Sequence, residues 1–343
     1  MILIRSDSSE QIGSGHVMRC LALAQAAAGA GRRATFAMAS GSAALKSRIH
    51  AEGFDVIAIG GRPGGEDDAA QTIAAAHRVG AAWVIVDGYH FAEAYQRALV
   101  KAGLRLLVLD DFGHASRYWA HLVLNQNFDA HERIYAHRES YTRLLLGPQF
   151  VLLRREFTRW QTWQRPIAPV ARRVLVTIGG SDPGNATPKV VESLRRLGDP
   201  AVEAVVVVGA DNPHYAEIVA MAAEGPPSID VRHNVQEMPE VMAWADMAVI
   251  VFGTALWELY FMGCPTLTFG RGFLNEPILR DMDRKGLVKY LGFEDAVDPA
   301  ALAAEMARLA ADVDARRGIS EATRLLIDGR GAAEVVRAME QYE

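Results

Sequence analysis

The stretch from Ser6 to Leu23, SDSSEQIGSGHVMRCLAL, decides how the rest of this sequence is interpreted. It follows the apolar residues 2–4, which are typical of a strand, and it contains the turn Gly13-Ser14-Gly15. A helical pattern begins at His16, because the apolar side chains of residues 17–24 recur at helical spacing. A strand, a polar loop and a helix N-terminus together form an anion-binding arrangement, since the first turn of a helix offers unpaired backbone N–H groups.

His16 stands at the start of this helix. The positive end of a helix disfavours the imidazolium form, so we expect a neutral imidazole that can accept a proton. The alternative is that His16 only caps or packs the helix, because histidine has structural as well as catalytic uses.

Length and composition favour a two-domain globular protein. The chain has 343 residues, half of them hydrophobic, and a formal net charge of −5 without a basic block, which argues against nucleic acid as a partner. Cys20 and Cys264 match neither CxxC nor zinc spacing, so we expect two buried free thiols in a reducing compartment. We find no secretory leader and no membrane-spanning run, and we expect a cytoplasmic monomer or weak dimer without membrane insertion.

The first half alternates apolar runs with helical patterns. Strands are predicted at residues 2–4, 34–37, 55–59, 83–86, 106–109 and 122–124, and helices at 16–28, 42–52, 68–79 and 92–102. Continuously apolar strands separated by helices indicate a parallel α/β sheet covered on both faces, with ligands beyond the carboxyl ends of the strands. Those ends carry the polar groups Arg5-Ser6-Asp7, Asp87-Gly88-Tyr89-His90, Asp110-Asp111 and Asn125-Gln126-Asn127.

The same architecture restarts after a proline- and tryptophan-containing segment. We predict a first domain at residues 1–157, a linker at 158–172, a second Rossmann-like domain at 173–314 and C-terminal helices at 315–343 that pack back on the first domain. The second domain is predicted to have strands at 174–178, 205–208, 229–231, 247–251 and 266–269. The histidines His114, His121, His131 and His137 show no metal-ligand spacing, and no metal site is predicted.

Two turns in the second domain suit a nucleotide. Gly179-Gly180-Ser181-Asp182 follows a strand and precedes a helix, so a phosphate or sugar could approach its backbone. Phe252-Gly253-Thr254 precedes a second helix, whose N-terminus could bind a diphosphate. Glu258 lies one turn further on, where its carboxylate could accept hydrogen bonds from the ribose hydroxyls, although alone it would be interpreted as a solvated helix residue.

These motifs together resemble the nucleotide-sugar hydrolases of the pseudaminic-acid pathway. The resemblance rests on the N-terminal residues from Arg5 to Leu21 and continues through most of the chain. Its further motifs are Asp87-Gly88-Tyr89, Asp110-Asp111, Leu124-Asn125-x-Asn127, Gly147-Pro148, Leu152-Leu153-Arg154-x-Glu156-Phe157, Ile178-Gly179-Gly180-Ser181-Asp182 and the Glu258/Gly263/Pro265 element. The N-terminal motif is long and specific, whereas the C-terminal one is shared with the wider glycosyltransferase-like fold called GT-B.

The resemblance implies two Rossmann-like domains facing a cleft and a hydrolase that needs neither metal nor cofactor. Its substrate would be UDP-2,4-diacetamido-2,4,6-trideoxy-β-L-altropyranose. His16 matches the proposed general base of the family, which would activate a water to attack the anomeric carbon and release UDP. The implied substrate-binding residues are Asp7, Gly13, Ser14, Gly15, Arg19, Tyr89 and Asn275. The implied nucleotide-binding residues are Gly179, Gly180, Ser181, Phe252, Gly253, Thr254 and Glu258.

The chain departs from the family pattern at two places. Val251-Phe252-Gly253 replaces a turn of small residues, and Leu274-Asn275-Glu276 keeps only the asparagine of an Asp-Asn-Gln-like segment. Two other functions remain open. A GT-B glycosyltransferase would use a UDP-sugar donor with an acceptor in place of water, and a non-catalytic nucleotide-sugar binding protein would have no need of the glycine–histidine loop.

Overall fold

The structure, a computed structural model, describes residues 1–9 and 13–342, with residue 274 described by its backbone alone. Residues 10–12 of the N-terminal stretch and residue 343 lie outside the described residues. Contacts within the chain divide it into two compact units, Met1–Arg155 with Gly329–Glu343 and Glu156–Asp328. We refer to them as the first unit and the second unit.

The first unit is a parallel α/β structure. Its strands are Ile2–Ser6 (β1), Ala34–Met38 (β2), Asp55–Ala58 (β3), Trp83–Asp87 (β4), Arg105–Leu109 (β5), Leu122–Asn125 (β6) and Arg143–Leu146 (β7). The helices between them are Gly15–Gly29 (α1), Ala43–Ala51 (α2), Glu66–Val79 (α3) and Glu93–Lys101 (α4). The seven strands form one sheet in the order β3-β2-β1-β4-β5-β6-β7, and every pairing is parallel.

Both faces of this sheet are buried, which explains why its inner strands are apolar at successive positions. On β1, the side chains of Ile2 and Ile4 join a core cluster with Val17 and Leu21 of helix α1. Leu3, between them, belongs to the cluster on the opposite face. The alternation along one strand therefore serves two helical layers, as the sequence predicted.

The second unit repeats the design with six parallel strands. They are Arg173–Thr177 (β8), Glu203–Val208 (β9), Ser228–His233 (β10), Met247–Val251 (β11), Thr266–Gly270 (β12) and Lys289–Phe293 (β13), in the order β10-β9-β8-β11-β12-β13. Its helices are Thr187–Leu197 (α5), Tyr215–Ala222 (α6), Met238–Trp244 (α7), Thr254–Phe261 (α8), Glu276–Arg284 (α9), Pro299–Ala311 (α10) and Val313–Leu326 (α11). The last helix of the chain, Gly331–Glu340 (α12), belongs to the first unit.

Short 3-10 helices complete the secondary structure. They span Glu132–Tyr135, Pro148–Phe150, Arg155–Trp160, Phe273–Asn275 and Glu294–Ala296. Within the described ranges, no helix combines the length and the apolar character needed to cross a bilayer.

The division of the chain differs from the predicted boundaries at the linker. Residues 158–172 belong to the second unit, where the guanidinium of Arg165 donates hydrogen bonds to the backbone carbonyls of Met242, Ala245 and Met262. Arg324 similarly donates to carbonyls of this segment, among them that of Trp163 at 2.6 Å. These hydrogen bonds hold the segment against the rest of the second unit, so the segment packs instead of connecting freely.

The C-terminal helices, predicted as one segment, are also divided. Helix α11 packs against α8 within the second unit, whereas α12 packs against α1 within the first unit. The edge strands β7 and β13 were not predicted, and their residues are mostly half-exposed, unlike the continuously buried inner strands. Cys20 and Cys264 are free and buried, which confirms the prediction of buried thiols.

Candidate active site

The chain connections of the first sheet reverse direction between β1 and β4. From β1 the chain moves outward to β2 and β3, and from β4 it moves the opposite way to β5, β6 and β7. In open parallel sheets, the loops on either side of such a reversal leave a crevice where ligands bind. Here the two loops carry Asp7 to His16 and Asp87 to His90.

His16 lies in the first turn of α1, whose N-cap is Ser14. Its ring packs edge-on against the ring of Tyr89 with centroids 5.1 Å apart, and its side chain keeps an exposed fraction of 12%. The Nδ1 atom lies 4.0 Å from Oδ1 of Asp87 and has no hydrogen-bond partner. Nδ1 thus faces a carboxylate, and Nε2 is the nitrogen that remains for a ligand.

The loop before His16 requires glycine at position 13. Gly13 has a φ of 67°, in the left-handed region that other residues rarely adopt, and its N–H donates to the carbonyl of Ser9 at 2.8 Å. This hydrogen bond holds Gly13 beside Ser9, directly before the helix start.

Arg19, one helical turn after His16, joins two carboxylates. It donates to both oxygens of Asp87 at 2.6 and 2.7 Å and to both oxygens of Asp111 at 2.8 and 3.1 Å. Burial alone would lower the pKa of Arg19, but the charges of Asp111 and Asp87 raise it well above its usual value. We call Arg19, Asp87 and Asp111 the arginine network.

This network bears on the role that the resemblance implies for Arg19. The resemblance implies a substrate-binding residue, and in the structure four of the hydrogen bonds of Arg19 are made to carboxylates of its own unit. A buried guanidinium paired in this way fixes its partners and has little donor capacity left for a ligand.

Asp111 links the network to Tyr89. The Tyr89 hydroxyl donates to Oδ2 of Asp111 at 2.8 Å, and the side-chain amide of Asn127 donates to Oδ1 at 3.1 Å. Burial would raise the pKa of the Asp111 carboxyl, but the charge and hydrogen bonds of Arg19 hold it well below its usual range. The contacts therefore close a circuit from His16 through Asp87, Arg19, Asp111 and Tyr89 back to His16.

Asp110 shapes the turn that presents Asp111. Its Oδ1 accepts the backbone N–H groups of Asp111, Phe112 and Gly113 at 2.5, 2.9 and 3.0 Å. Its Oδ2 accepts the hydroxyl of Tyr118. Both oxygens of Asp110 are thus occupied, one by the backbone of the turn and one by Tyr118, whereas Asp111 joins the arginine network.

Asp7, which the resemblance implies as a substrate-binding residue, makes contacts within its own unit. Its Oδ1 accepts the N–H groups of Ala39 and Ser40 at 2.7 and 3.0 Å, and its Oδ2 lies 2.7 Å from Nη1 of Arg5. Among the described residues, the carboxylate within 4.0 Å of His16 is that of Asp87. The signal for Asp87 was present in the sequence as a polar residue at a strand end, but no role was assigned to it.

Asp68 is a second carboxylate whose role the sequence did not reveal. It is the last residue of the acidic run Glu66-Asp67-Asp68, a pattern typical of an exposed loop, yet its side chain is fully buried and accepts two hydrogen bonds from Arg5 at 2.9 and 2.8 Å. Arg5 in turn pairs with Asp7, so these three residues hold the end of β1 in place.

The predicted nucleotide residues of the second unit lie at the equivalent reversal, between β8 and β11. Gly179 has a φ of 89°. Gly180 lies so close to Gly209 that a Cβ on Gly209 would fall 2.0 Å from the Gly180 carbonyl oxygen. Asp182 accepts the N–H groups of Ala186 and Thr187, both at 2.9 Å, and so occupies the start of α5 itself.

The start of α8 has no such side-chain cap. Its N-cap is Gly253, and its first turn carries no acidic residue. Phe252 is half-buried and packs edge-on toward Trp257, with ring centroids 6.4 Å apart. Thr254 opens the helix and Glu258 lies half-buried one turn later, so the four residues predicted from this motif occur on one loop–helix junction.

Asn275, predicted to bind the substrate, ends the 3-10 helix Phe273–Asn275 after β12. It is the N-cap of α9, but its side chain makes no cap hydrogen bond. Leu274, part of the same departure from the family pattern, has a side chain outside the described residues. Across the described ranges, no group of three or more His, Cys, Asp or Glu side chains is arranged to hold a metal ion.

Comparisons with known proteins bear on the fold. No family model matches the chain. It is 24% identical over 255 residues to the spore coat polysaccharide biosynthesis protein SpsG of Bacillus subtilis (strain 168), a match that covers 74% of each chain. MurG of Acinetobacter baumannii superposes with a TM-score of 0.66 at 13% identity, over 99% of both chains. The spinosyn rhamnosyltransferase SpnG, complexed with thymidine diphosphate, gives 0.65 at 15% identity over 99% of both. The chain therefore has the two-unit parallel α/β fold of the GT-B glycosyltransferase structures, as the sequence predicted.

Proposed function

We propose that this protein is an enzyme that cleaves a nucleotide sugar, with His16 as the base that deprotonates the attacking group. The observation that carries the proposal is the setting of His16 within the first unit. Its Nδ1 faces Asp87 at 4.0 Å, a distance that a small shift would convert into a hydrogen bond, and the arginine network holds Asp87 in place. A carboxylate on one ring nitrogen favours the tautomer whose other nitrogen accepts a proton.

The reaction then follows from the position of the base. The attacking oxygen gives its proton to Nε2 of His16 and forms a bond to the anomeric carbon of the sugar. The bond between that carbon and the phosphate oxygen breaks, and the nucleoside diphosphate leaves with the electron pair. A placed imidazole supplies about 10²- to 10⁴-fold in such steps.

We assign the nucleotide to the second unit. The uncapped N-terminus of α8, with Gly253 and Thr254, would bind the diphosphate, and Glu258 would bind the ribose. The turn Gly179–Ser181 contributes backbone groups from the neighbouring strand β8, and Phe252 would lie against the base. Helix N-termini can stabilise a leaving diphosphate through backbone dipoles, so the proposal requires no metal.

Transfer to a hydroxyl acceptor is the reaction that the comparisons support best. SpnG is a rhamnosyltransferase, and SpsG is named for the biosynthesis of a polysaccharide. Hydrolysis is the second candidate, supported by the resemblance of the loop from Gly13 to Leu21 to the pseudaminic-acid pathway hydrolases. In that case water replaces the acceptor hydroxyl, and the roles of His16 and Asp87 are unchanged.

The test is release of nucleoside diphosphate from a panel of UDP- and dTDP-sugars, with and without a cell-derived polysaccharide acceptor, and with and without EDTA. Release that requires the acceptor identifies a transferase, and release in its absence identifies a hydrolase. The His16→Ala variant should lose about 10²- to 10⁴-fold in turnover. The matched control is His137→Ala, because His137 is an exposed histidine of the same unit away from the reversal of the sheet.

Undiminished release by His16→Ala would refute the proposed base. Loss of release on addition of EDTA would show that the reaction needs a metal, contrary to the proposal.

A further inference from the structure

Two aromatic side chains stand exposed beside His16. Tyr89 has an exposed fraction of 41% and Phe112 of 43%, and their ring centroids are 4.7 Å apart. Large apolar side chains that are exposed to solvent at a crevice usually mark a surface that a ligand covers. Tyr89 in turn contacts the His16 ring, so the exposed pair is continuous with the candidate base.

The Tyr89 hydroxyl is already engaged. It donates to Asp111 at 2.8 Å, and partial burial together with the Asp111 charge raises the pKa of this phenol above its usual value. The hydroxyl therefore stays protonated and bound to Asp111. What Tyr89 offers to a ligand is its ring.

The position of Phe112 is fixed by its backbone. Its N–H and those of both neighbours donate to Oδ1 of Asp110, which makes a rigid turn at the end of β5. Gly113 follows with a φ of 82° and lies so close to Ile134 that an added Cβ would fall 2.5 Å from the Ile134 side chain. The turn that exposes Phe112 is thus held by buried Asp110 on one side and by the close contact of Gly113 with Ile134 on the other.

We propose that Tyr89 and Phe112 form an aromatic platform for the donor sugar, stacking against the C–H face of the ring whose anomeric carbon is attacked. The inference rests on the proposed function and assigns Phe112 a role in substrate recognition. An attacking oxygen lies about 3 Å from both the base and the anomeric carbon, so the donor ring lies within about 6 Å of the imidazole. The ring centroid of Tyr89 is 5.1 Å from that of His16, which is within this distance. The donor sugar is also the ligand that both transfer and hydrolysis require.

The platform is tested by binding without an acceptor present. Calorimetry measures the affinities of UDP-N-acetylglucosamine, dTDP-glucose and GDP-mannose, and of the free nucleotide of each. The proteins compared are wild type, Phe112→Ala, Phe112→Trp and Tyr141→Ala. For the sugar nucleotide that binds best, we expect Phe112→Ala to weaken affinity by about 3- to 10-fold. The affinity of the free nucleotide should not change, and Phe112→Trp should bind like wild type because it keeps an aromatic face.

Tyr141→Ala is the matched control, because Tyr141 is an exposed aromatic residue of the same unit whose ring packs against His121 and whose backbone carbonyl accepts the Tyr342 hydroxyl. Equal loss of affinity for free nucleotide and sugar nucleotide in Phe112→Ala would overturn the platform, as would wild-type affinity for both. If wild type binds no probe, the proposed function fails and the platform with it. If wild type binds the nucleotides and Phe112→Ala keeps the same ratio of affinities for sugar nucleotide and free nucleotide, the platform is refuted while the proposed function is not.

Discussion

At the scale of single residues, Arg19 is a buried cation of the first unit that two carboxylates, Asp87 and Asp111, share. Arg19 and Asp87 are almost fully buried, and their hydrogen bonds are as short as 2.6 Å. Ion pairs of this kind add little net stability compared with apolar packing, yet removal of one partner is costly because it leaves an unpaired buried charge. Their value is geometric, since they hold Asp87 against His16.

Asp87→Asn tests this positioning role. The variant preserves the shape of the side chain but removes the charge that faces Nδ1 of His16, so the imidazole loses the group that orients it. We expect kcat to fall at least about tenfold, with KM and nucleotide affinity little changed. Steady-state kinetics and calorimetric nucleotide binding measure the two effects.

Asp55→Asn serves as the control for Asp87→Asn, because Asp55 is exposed on β3 and should leave kcat as in wild type. If Asp87→Asn retains wild-type kcat while still folding, the positioning role is wrong. A parallel fall in kcat and nucleotide affinity would indicate general loss of structure instead.

The carboxylate of Asp111 predicts how stability depends on acid. Its pKa in the folded protein lies below the unfolded value of about 3.9, so the unfolded chain binds more protons at low pH. The stabilisation is fully present above the unfolded pKa and is lost as pH falls through the folded pKa. We expect the free energy of unfolding to decline below about pH 4.

Urea unfolding of wild type and Asp111→Asn between pH 3 and pH 7 checks this expectation. The variant should be less stable at pH 7 and should lose less stability on acidification. If the free energy of unfolding of Asp111→Asn changes with pH as steeply as that of wild type, the acid sensitivity belongs to other carboxylates with lowered pKa values, such as Asp68 and Asp110.

At the scale of elements, three glycines of the second unit differ in whether the folded chain has room for an alanine side chain. Gly253 has an extended φ of 175°, and the nearest atom to an added Cβ is 3.9 Å away, so alanine fits the folded chain. Gly209 faces the Gly180 carbonyl at 2.0 Å from an added Cβ, so alanine must displace backbone. Gly318, inside helix α11, has nothing within 4 Å of an added Cβ.

Gly253→Ala should therefore separate binding from stability. We expect unfolding free energy within about 0.5 kcal/mol of wild type but weaker binding of nucleoside diphosphate, because the methyl group obstructs the approach to the α8 amides. Gly318→Ala should stabilise by roughly 0.5–1 kcal/mol and leave binding intact. Gly209→Ala should destabilise the second unit. If Gly253→Ala binds nucleoside diphosphate as tightly as wild type does, the diphosphate does not bind at the N-terminus of α8.

At the scale of the whole molecule, the sequence predicted the inner strands and the first four helices well. Strands such as Met247–Val251 are buried at every position, and that burial requires an unbroken apolar run that is visible in the sequence. The sequence did not predict β13, whose five residues are all half-exposed. It also did not predict the burial of Asp68, which is the last residue of an acidic run. Local patterns report burial along one element, whereas Arg5–Asp68 and Arg19–Asp111 join residues far apart in sequence.

The candidate site shows the same limit. His16 and the glycine turns were predicted from local motifs and lie at the carboxyl ends of the expected strands. The arginine network and the exposed Phe112 depend on how β1, β4 and β5 are ordered in the sheet, which no local pattern specifies.

The discontinuous first unit gives the last prediction. Helix α12 closes the face of α1, and its residues Val335 and Met339 belong to the core cluster that also contains Trp83. Gly331, at the start of α12, lies so close to residues 150 and 151 that an added Cβ would fall 2.3 Å from the Val151 carbonyl oxygen. Removal of residues 329–343 therefore uncovers a large apolar surface of the first unit, whereas the second unit, residues 156–328, loses none of its own chain.

We expect a chain ending at residue 328 to lose several kcal/mol of stability in the first unit alone, because burial of a large aliphatic side chain is worth about 1.5–3 kcal/mol. Hydrogen exchange measured by mass spectrometry should show faster exchange in α1 and β1 and unchanged protection in β8 and β11. Nucleotide binding should survive, since the assigned residues Gly253, Thr254 and Glu258 belong to the second unit. Gly331→Val in the full-length chain is the companion variant, because it displaces α12 without shortening the chain. Unchanged exchange in α1 after both changes would mean that α12 contributes nothing to the first core, and equal loss of protection in both units would mean that they unfold as one.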